Sequence, residues 1–127
     1  MVKEADEATK SANAPFSNIH VGAALRLKRG RTLPASNFER EVYPAGLCAA
    51  RSLLFNVEAN YGDDIIEALA IASNPSEREC YPCGQCRQVI VDVERRQQSP
   101  IRVIMTGAGS ATVVDSAEKL LPFTYKL

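Results

Sequence analysis

The sequence predicts an α/β fold in which helices cover both faces of a mixed sheet of about five strands, a three-layer αβα arrangement. Two observations predict it. The hydrophobic patterns of successive segments predict helices (α) and strands (β) in the order αββαβαββα. Residues 65–73 form a short, predominantly apolar segment, which is typical of a central strand buried on both faces. Because 127 residues leave room for only one domain, residues 1–127 are expected to fold as a single unit.

Local signals define each element in turn. Strands are predicted at residues 19–27, 31–38, 65–73, 101–106 and 111–115. Helices are predicted at residues 2–13, 46–60, 82–97 and 116–121. Pro15 ends the first helix, Gly30 supplies the positive φ of a tight turn, and Pro34 places the second strand at a sheet edge or a bulge. Pro82 opens the third helix and Ser116 caps the last one.

The two longer helices carry apolar residues at three- and four-residue spacing, which indicates one buried face on each. In the first, this stripe comprises Leu47, Ala50, Leu54 and Val57. In the second, it comprises Cys86, Val89, Ile90 and Val93. The segment Glu94-Arg95-Arg96 is interpreted as a solvated helix end.

Composition excludes several classes of protein. Fifteen basic and fifteen acidic residues give a formal net charge of +0, which argues against nucleic-acid or anionic-membrane binding through bulk charge. No apolar run approaches the roughly 20 residues of a membrane span, and the first residues lack the apolar stretch of a signal peptide. We therefore expect a cytoplasmic protein, in which four cysteines indicate metal binding or catalysis before disulfides.

Three cysteines have the spacing of a catalytic zinc site. Cys83 and Cys86 are three residues apart on one predicted helix, and Cys48 lies in the first turn of another. Three thiolates around Zn²⁺ leave one tetrahedral position open, as catalytic zinc sites do. The positive ends of two helix dipoles, together with Arg51 and Arg87, would offset the negative charge of these thiolates.

Other interpretations of these residues stay open. Cys83 and Cys86 could form a structural zinc knuckle or a redox pair, and Cys80 could close the ion with a fourth sulfur. Pro82 separates Cys80 from the helix, which favours a free thiol at that position. His20 lies in a predicted strand and is interpreted as a structural histidine rather than a ligand.

The ordered motifs of the chain resemble those of a known family. They are Ala14-Pro15-Phe16-Ser17-Asn18, Val21-Gly22-Ala23-Ala24-Leu25, Asn37-Phe38-Glu39, Tyr43-Pro44-Ala45-Gly46-Leu47-Cys48-Ala49, Pro82-Cys83-Gly84-Gln85-Cys86-Arg87-Gln88 and Leu120-Leu121-Pro122. In this order and spacing the chain resembles the small, homotetrameric, zinc-dependent cytidine deaminases. The resemblance implies the cytidine deaminase-like fold and hydrolytic deamination of cytidine or deoxycytidine to uridine or deoxyuridine in pyrimidine salvage.

The resemblance also implies a role for individual residues. The zinc ligands would be Cys48, Cys83 and Cys86, with one Zn²⁺ per chain. Substrate contacts would come from Asn37 and Glu39 to the sugar hydroxyls, from Ala49 and Ile19 to the base, and from Tyr125, or else Phe123, of a neighbouring subunit. Arg51 and Gln88 would orient or tune the cysteines.

One departure from the family pattern falls on the catalytic position. Where the family reads Cys-Ala-Glu-Arg, this chain reads Cys48-Ala49-Ala50-Arg51, so Ala50 replaces the glutamate that carries protons during deamination. Neither Glu58 nor Glu39 is an obvious substitute. The sequence therefore predicts binding of zinc and nucleoside with little or no turnover.

Two origins of Ala50 stay open, an engineered knockout and a divergent natural homologue. Ile19 stands where the family usually has a stacking phenylalanine. This and other departures from the family pattern favour a divergent natural homologue. The alternatives to a cytidine deaminase are a non-catalytic zinc protein that binds a nucleoside-like ligand and a deaminase of a related aminopyrimidine.

Overall fold

A five-stranded mixed sheet organises the chain. The computed structural model describes residues 1–15, 20–37, 39, 47–74, 79–107 and 109–125. The strands are β1 (His20–Leu27), β2 (Thr32–Ser36), β3 (Ile66–Asn74), β4 (Arg102–Gly107) and β5 (Ser110–Val114). The helices are α1 (Val2–Ala8), α2 (Ala49–Asn60) and α3 (Gly84–Gln97), with 3-10 helices at Thr9–Ser11 and Ala117–Leu120.

The sheet has the order β2-β1-β3-β4-β5. Strands β3 and β4 are parallel and are joined through α3, whereas the other neighbouring strands are antiparallel. The predicted mixed αβα architecture is therefore confirmed. Strand β3 is central and buried from Ala68 to Ala72, as the apolar run of these residues predicts, whereas Glu67 just before them is exposed. Pro34 lies in β2 at the sheet edge, where a missing N–H costs no ladder bond.

The two faces of the sheet are covered by different helices and form cores of different size. The larger core lies between the sheet and helices α2 and α3, and includes Leu25, Leu53, Leu69 and Ile90. A smaller cluster of Ala5, Ala24, Ala70 and Ala72 joins α1 to the opposite face. Helix α1 approaches so closely that a Cβ at Gly22 would overlap the main-chain oxygen of Ala5. Small residues are thus required where α1 crosses β1.

Several element boundaries differ from the prediction. The first helix ends at Ala8 and continues as a 3-10 turn to Ser11, and the last helix is also 3-10. Helix α2 begins at Ala49 and α3 at Gly84, because Cys48 and Cys83 have extended backbones and act as N-caps. The predicted cap is confirmed, since the Ser116 hydroxyl accepts a hydrogen bond from the Glu118 amide.

The interpretation of residues 94–96 as a solvated helix end is wrong for Glu94. The side chain of Arg96 is largely exposed, but Glu94 is only 6% exposed. Its carboxylate accepts hydrogen bonds from the amides of Ile101 and Ala117, both at 2.7 Å, and from the Ser116 hydroxyl at 2.8 Å. Glu94 therefore holds α3 against the start of β4 and the C-terminal 3-10 helix.

No helix in the described part of the chain is both long and apolar enough to cross a membrane.

Candidate metal centre

Two helix starts bring three cysteine sulfurs together. Cys48 is the N-cap of α2 and Cys83 is the N-cap of α3, and Cys86 follows in the first turn of α3. The Sγ atoms of Cys83 and Cys86 are 3.5 Å apart, and Cys48 Sγ lies directly against Cys86 Sγ. Cys86 is 3% exposed, whereas the Cys83 side chain is exposed. One sulfur is therefore fixed by the core, while another faces the surface.

The structure joins Cys48 and Cys86 as a disulfide, although the sequence favoured a metal site over disulfides. Consequently no three free His, Cys, Asp or Glu side chains form a metal-binding group among the described residues. The Cα atoms of Cys48 and Cys86 are nevertheless 7.6 Å apart, beyond the roughly 4.4–6.8 Å of most disulfides. In a tetrahedral zinc site with Zn–S bonds of about 2.3 Å, two sulfurs lie about 3.8 Å apart. The separation of Cys83 and Cys86 is close to this value, so this pair has the spacing of two zinc ligands, and reduction of the Cys48–Cys86 bond would free the third thiol beside them.

One arginine supports these sulfurs directly. Arg51 Nε donates to Cys48 Sγ at 3.3 Å, a contact that would stabilise a thiolate at that position in the reduced chain. Arg87, expected to offset thiolate charge, donates to main-chain carbonyls instead. Its Nε lies 2.8 Å from Pro82 O and its Nη1 lies 3.1 Å from Leu120 O. The two arginines beside the cysteines thus have different partners.

Cys80 occupies a different environment. Its amide donates to Thr106 O at 3.0 Å, and its half-buried thiol contacts Ser73 at the end of β3. Burial raises the pKa of the Cys80 thiol, so the uncharged form is favoured. This environment agrees with the predicted free thiol and gives no support to a fourth sulfur ligand.

Separate removal of Cys80 and Cys83 tests whether the site has three or four sulfurs. We expect Cys83→Ala to lower the zinc affinity of the reduced chain more than about 100-fold, the upper end of the losses seen when only a supporting residue is removed. We expect Cys80→Ala to leave the affinity within about twofold. Competition with a chromogenic chelator measures both, and equal losses in the two variants would establish a closed four-sulfur site.

The side chain at position 50, the candidate catalytic position, is small and buried. Ala50, two residues after Cys48, is 4% exposed, and Ala49 is fully buried. A methyl group can neither accept nor donate a proton. Glu58, two turns further along α2, pairs with Arg96 at 3.0 Å and is thus engaged elsewhere. Glu58 therefore supplies no evident replacement for a glutamate at position 50.

The candidate sugar-binding residues lie just beyond β2. Asn37 is 8% exposed, and its Oδ1 accepts a hydrogen bond from the Val21 amide at 2.9 Å. The main chain of Asn13 donates to Asn37 O at 3.0 Å and accepts from the Glu39 amide at 2.8 Å. The segment that carries Asn37 and Glu39 is thus held to β1 and to the N-terminal segment. Ile19, the candidate base-stacking residue, lies outside the described residues.

The structure does not bring every candidate to the cysteines. The Gln88 amide, expected to orient a cysteine, donates to Asp92 at 2.9 Å, one turn along the surface of α3. Tyr125 is 71% exposed and Phe123 is fully exposed in the single chain. His20 lies half-buried at the first position of β1, opposite Asn74, as expected of a structural histidine.

Comparisons with known proteins identify the family of this chain. The family model described as the cytidine and deoxycytidylate deaminase zinc-binding region matches residues 1–99, which include Cys48, Cys83 and Cys86. The chain belongs to this deaminase family. A cytidine deaminase of Halalkalibacterium halodurans is 36% identical over 93 residues, which cover 73% of this chain and 69% of that protein.

A solved structure and a second relative extend the comparison. The 1.6 Å crystal structure of cytidine deaminase from Burkholderia pseudomallei superposes with a TM-score of 0.85 at 33% identity, covering 98% of this chain and 95% of that one. A blasticidin-S deaminase of Bacillus cereus is 27% identical over 112 residues, covering 84% of this chain and 76% of that protein. The cytidine deaminase-like fold is therefore confirmed, and the family is one of zinc-dependent hydrolases.

Proposed function

We propose that the chain binds one Zn²⁺ and a cytidine or deoxycytidine molecule, and that its hydrolytic deamination of this substrate is severely impaired. The observation that carries the proposal is the gathering of three cysteine sulfurs at two helix starts, with alanine at the second residue after Cys48. Membership of the deaminase family supports the reaction class. The proposal also includes the family's homotetramer and a cytoplasmic role in pyrimidine salvage.

The chain's own residues would bind the metal and orient the substrate. Cys48, Cys83 and Cys86 would hold Zn²⁺, and Arg51 would stabilise the Cys48 thiolate. Once bound, the ion would act as a Lewis acid and activate water for attack on C4 of the pyrimidine. Residues Asn37 and Glu39 would bind the sugar hydroxyls.

Proton transfer is the step that this chain lacks. Conversion of cytidine and water into uridine and ammonia requires a proton at N3 of the ring and another on the departing amino group. The glutamate of the family pattern carries these protons, whereas the methyl group of Ala50 cannot. Substrate binding does not need such a group, so this chain should bind the nucleoside without converting it at an appreciable rate.

A related aminopyrimidine is the second candidate substrate. The blasticidin-S deaminase among the relatives favours it, because a relative of this chain acts on a substrate other than cytidine. A non-catalytic zinc protein that binds a nucleoside-like ligand is the candidate from a different functional class, favoured by Ala50.

Calorimetric titration of the reduced, zinc-loaded chain with cytidine and deoxycytidine tests the proposal. We expect binding of at least one nucleoside, and no ammonia release above that of the buffer. Glu39→Gln serves as a control and should weaken binding about tenfold, since one charge-assisted hydrogen bond contributes roughly 1.5 kcal/mol. A zinc-loaded chain that binds neither nucleoside would contradict the proposal.

A further inference from the structure

Of the three candidate ligands, Cys83 has the least support from packing. Cys86 is buried in the core and Cys48 accepts a hydrogen bond from Arg51, but the Cys83 side chain is exposed. As an N-cap residue with an extended backbone and no capping bond from its side chain, Cys83 takes its direction from the main chain around it. The orientation of the Pro82–Cys83 peptide therefore helps to set the direction of the Cys83 side chain, whose sulfur lies 3.5 Å from Cys86 Sγ.

The loop before Cys83 is fixed on one side by the sheet. Glu79 accepts hydrogen bonds from the hydroxyls of Ser110 at 2.5 Å, of Thr112 and of Tyr81, and these bonds lower the pKa of the Glu79 carboxyl. The Cys80 amide adds its bond to Thr106 O. Residues 79 and 80 are thus anchored to β4 and β5, and a second anchor is needed nearer to Cys83.

Arg87 provides this second anchor. Its Nε donates to Pro82 O, the carbonyl of the peptide that precedes Cys83, at 2.8 Å. Its Nη1 donates at 3.1 Å to Leu120 O, at the end of the C-terminal 3-10 helix. A planar guanidinium holds two acceptors in a fixed relation, which a flexible ammonium group cannot do. The partly buried Arg87 side chain thus links the loop of residues 79–83, here called the cysteine loop, to a segment 33 residues away.

We infer that Arg87 is a positioning residue that orients Cys83 for metal binding and couples the metal centre to residues 120–125. This inference rests on the proposed function, because it presupposes a Zn²⁺ site at Cys48, Cys83 and Cys86. It differs from a purely structural role, in which Arg87 would only hold the C-terminal 3-10 helix on α3.

Helix α3 offers a matched control for that structural role. Arg95, two turns after Arg87, also binds the C-terminal 3-10 helix, through an ion pair of its Nε with Glu118 at 3.1 Å. The hydrogen bond of Arg95 does not reach the cysteine loop. If both arginines only dock the 3-10 helix, their removal should have similar effects on stability and none on metal affinity.

Zinc affinity of the reduced, full-length chain, measured by chelator competition, tests the inference. We expect Arg87→Gln to raise the zinc Kd about 10–100-fold, the usual loss when a residue supporting a metal ligand is removed, and Arg95→Gln to leave it within about twofold. Arg87→Lys keeps the charge but not the double contact, so its Kd should lie closer to that of Arg87→Gln than to that of the original chain.

Two further readouts complete the test. In cobalt-loaded protein, Arg87→Gln should show weaker sulfur-to-metal absorption than the original chain, because Cys83 would be oriented less well toward the metal. Addition of Zn²⁺ should slow amide hydrogen exchange in residues 120–125 of the original chain and of Arg95→Gln, and this slowing should be lost in Arg87→Gln.

Three results would overturn the inference. An unchanged zinc Kd in folded Arg87→Gln would leave Arg87 with a structural role only. Full affinity in Arg87→Lys would show that charge acts rather than orientation, and this variant retains a test if Arg87→Gln fails to fold. Failure of the original chain to bind Zn²⁺ would overturn the proposed function as well, so the two failures are distinguishable.

Discussion

Ala50→Glu is expected to raise the rate of ammonia release from cytidine by on the order of 10⁴-fold in the reduced, zinc-loaded protein. The physical reason is that one carboxylate would serve more than one proton transfer of the reaction, whereas the methyl group of Ala50 can serve none. Steady-state ammonia release, with uridine formation followed in parallel, measures the effect. The change should appear mainly in kcat, because the residues proposed to bind the sugar are untouched.

Ala50→Gln is the matched control. Glutamine has nearly the same size as glutamate and can donate a hydrogen bond, but it cannot carry a proton through the reaction. Position 50 is 4% exposed, so a longer side chain also tests whether the site has room for it. We expect Ala50→Gln to stay at the background rate with zinc and cytidine still bound. An equally inactive Ala50→Glu would contradict the proposed cause of inactivity and would favour a binding protein.

The same experiment bears on the origin of Ala50. Full activity on restoring a single glutamate would indicate that the rest of the site is intact, as expected of an engineered knockout. Weak activity would indicate that the remaining drift, including Ile19, matters for cytidine, as expected of a divergent homologue. Activity of Ala50→Glu on another aminopyrimidine would identify the substrate class.

Glu94→Ala is expected to lower the free energy of unfolding by about 3 kcal/mol. The substitution removes the acceptor of the Ile101 and Ala117 amides, and an unsatisfied buried donor costs roughly 1–3 kcal/mol. For a chain of this length, the loss corresponds to a fall in Tm of roughly 10 °C. Urea unfolding with circular dichroism measures the change.

Glu118→Ala is the control for Glu94. Glu118 lies on the C-terminal 3-10 helix that Glu94 binds, and it pairs with Arg95 of α3, but its side chain is 55% exposed. Such exposed ion pairs contribute about 0–1 kcal/mol, so this variant should remain close to the original stability. Equal destabilisation in the two variants would refute the role assigned to the buried carboxylate.

The elements of the fold could be predicted where the signal is local. The largely apolar composition of β3, the edge proline Pro34 and the positive φ of Gly30 each depend on a residue's own chemistry. Helix starts were less predictable. Residue spacing indicated helix from 46 and from 82, but extended backbones at Cys48 and Cys83 delay both starts.

The cysteine cluster could also be predicted, because metal ligands have characteristic types and spacing. The contacts that support the cluster could not be predicted from the sequence. Arg87 reaches a carbonyl 33 residues away, and Glu94 accepts from amides of two later segments. Main-chain partners leave no signal in residue types, so a buried glutamate next to two arginines resembled a solvated helix end. Tertiary packing, rather than local pattern, determines these roles.

The most direct test of a three-sulfur metal centre without a proton carrier is a crystal structure of the reduced, zinc-loaded chain soaked in cytidine, with metal content measured in parallel. We predict one Zn²⁺ per chain bound by Cys48, Cys83 and Cys86, and a nucleoside whose 4-amino group is still in place. Uridine in the site, a sulfur ligand from Cys80, or a chain that takes up no zinc would contradict this account.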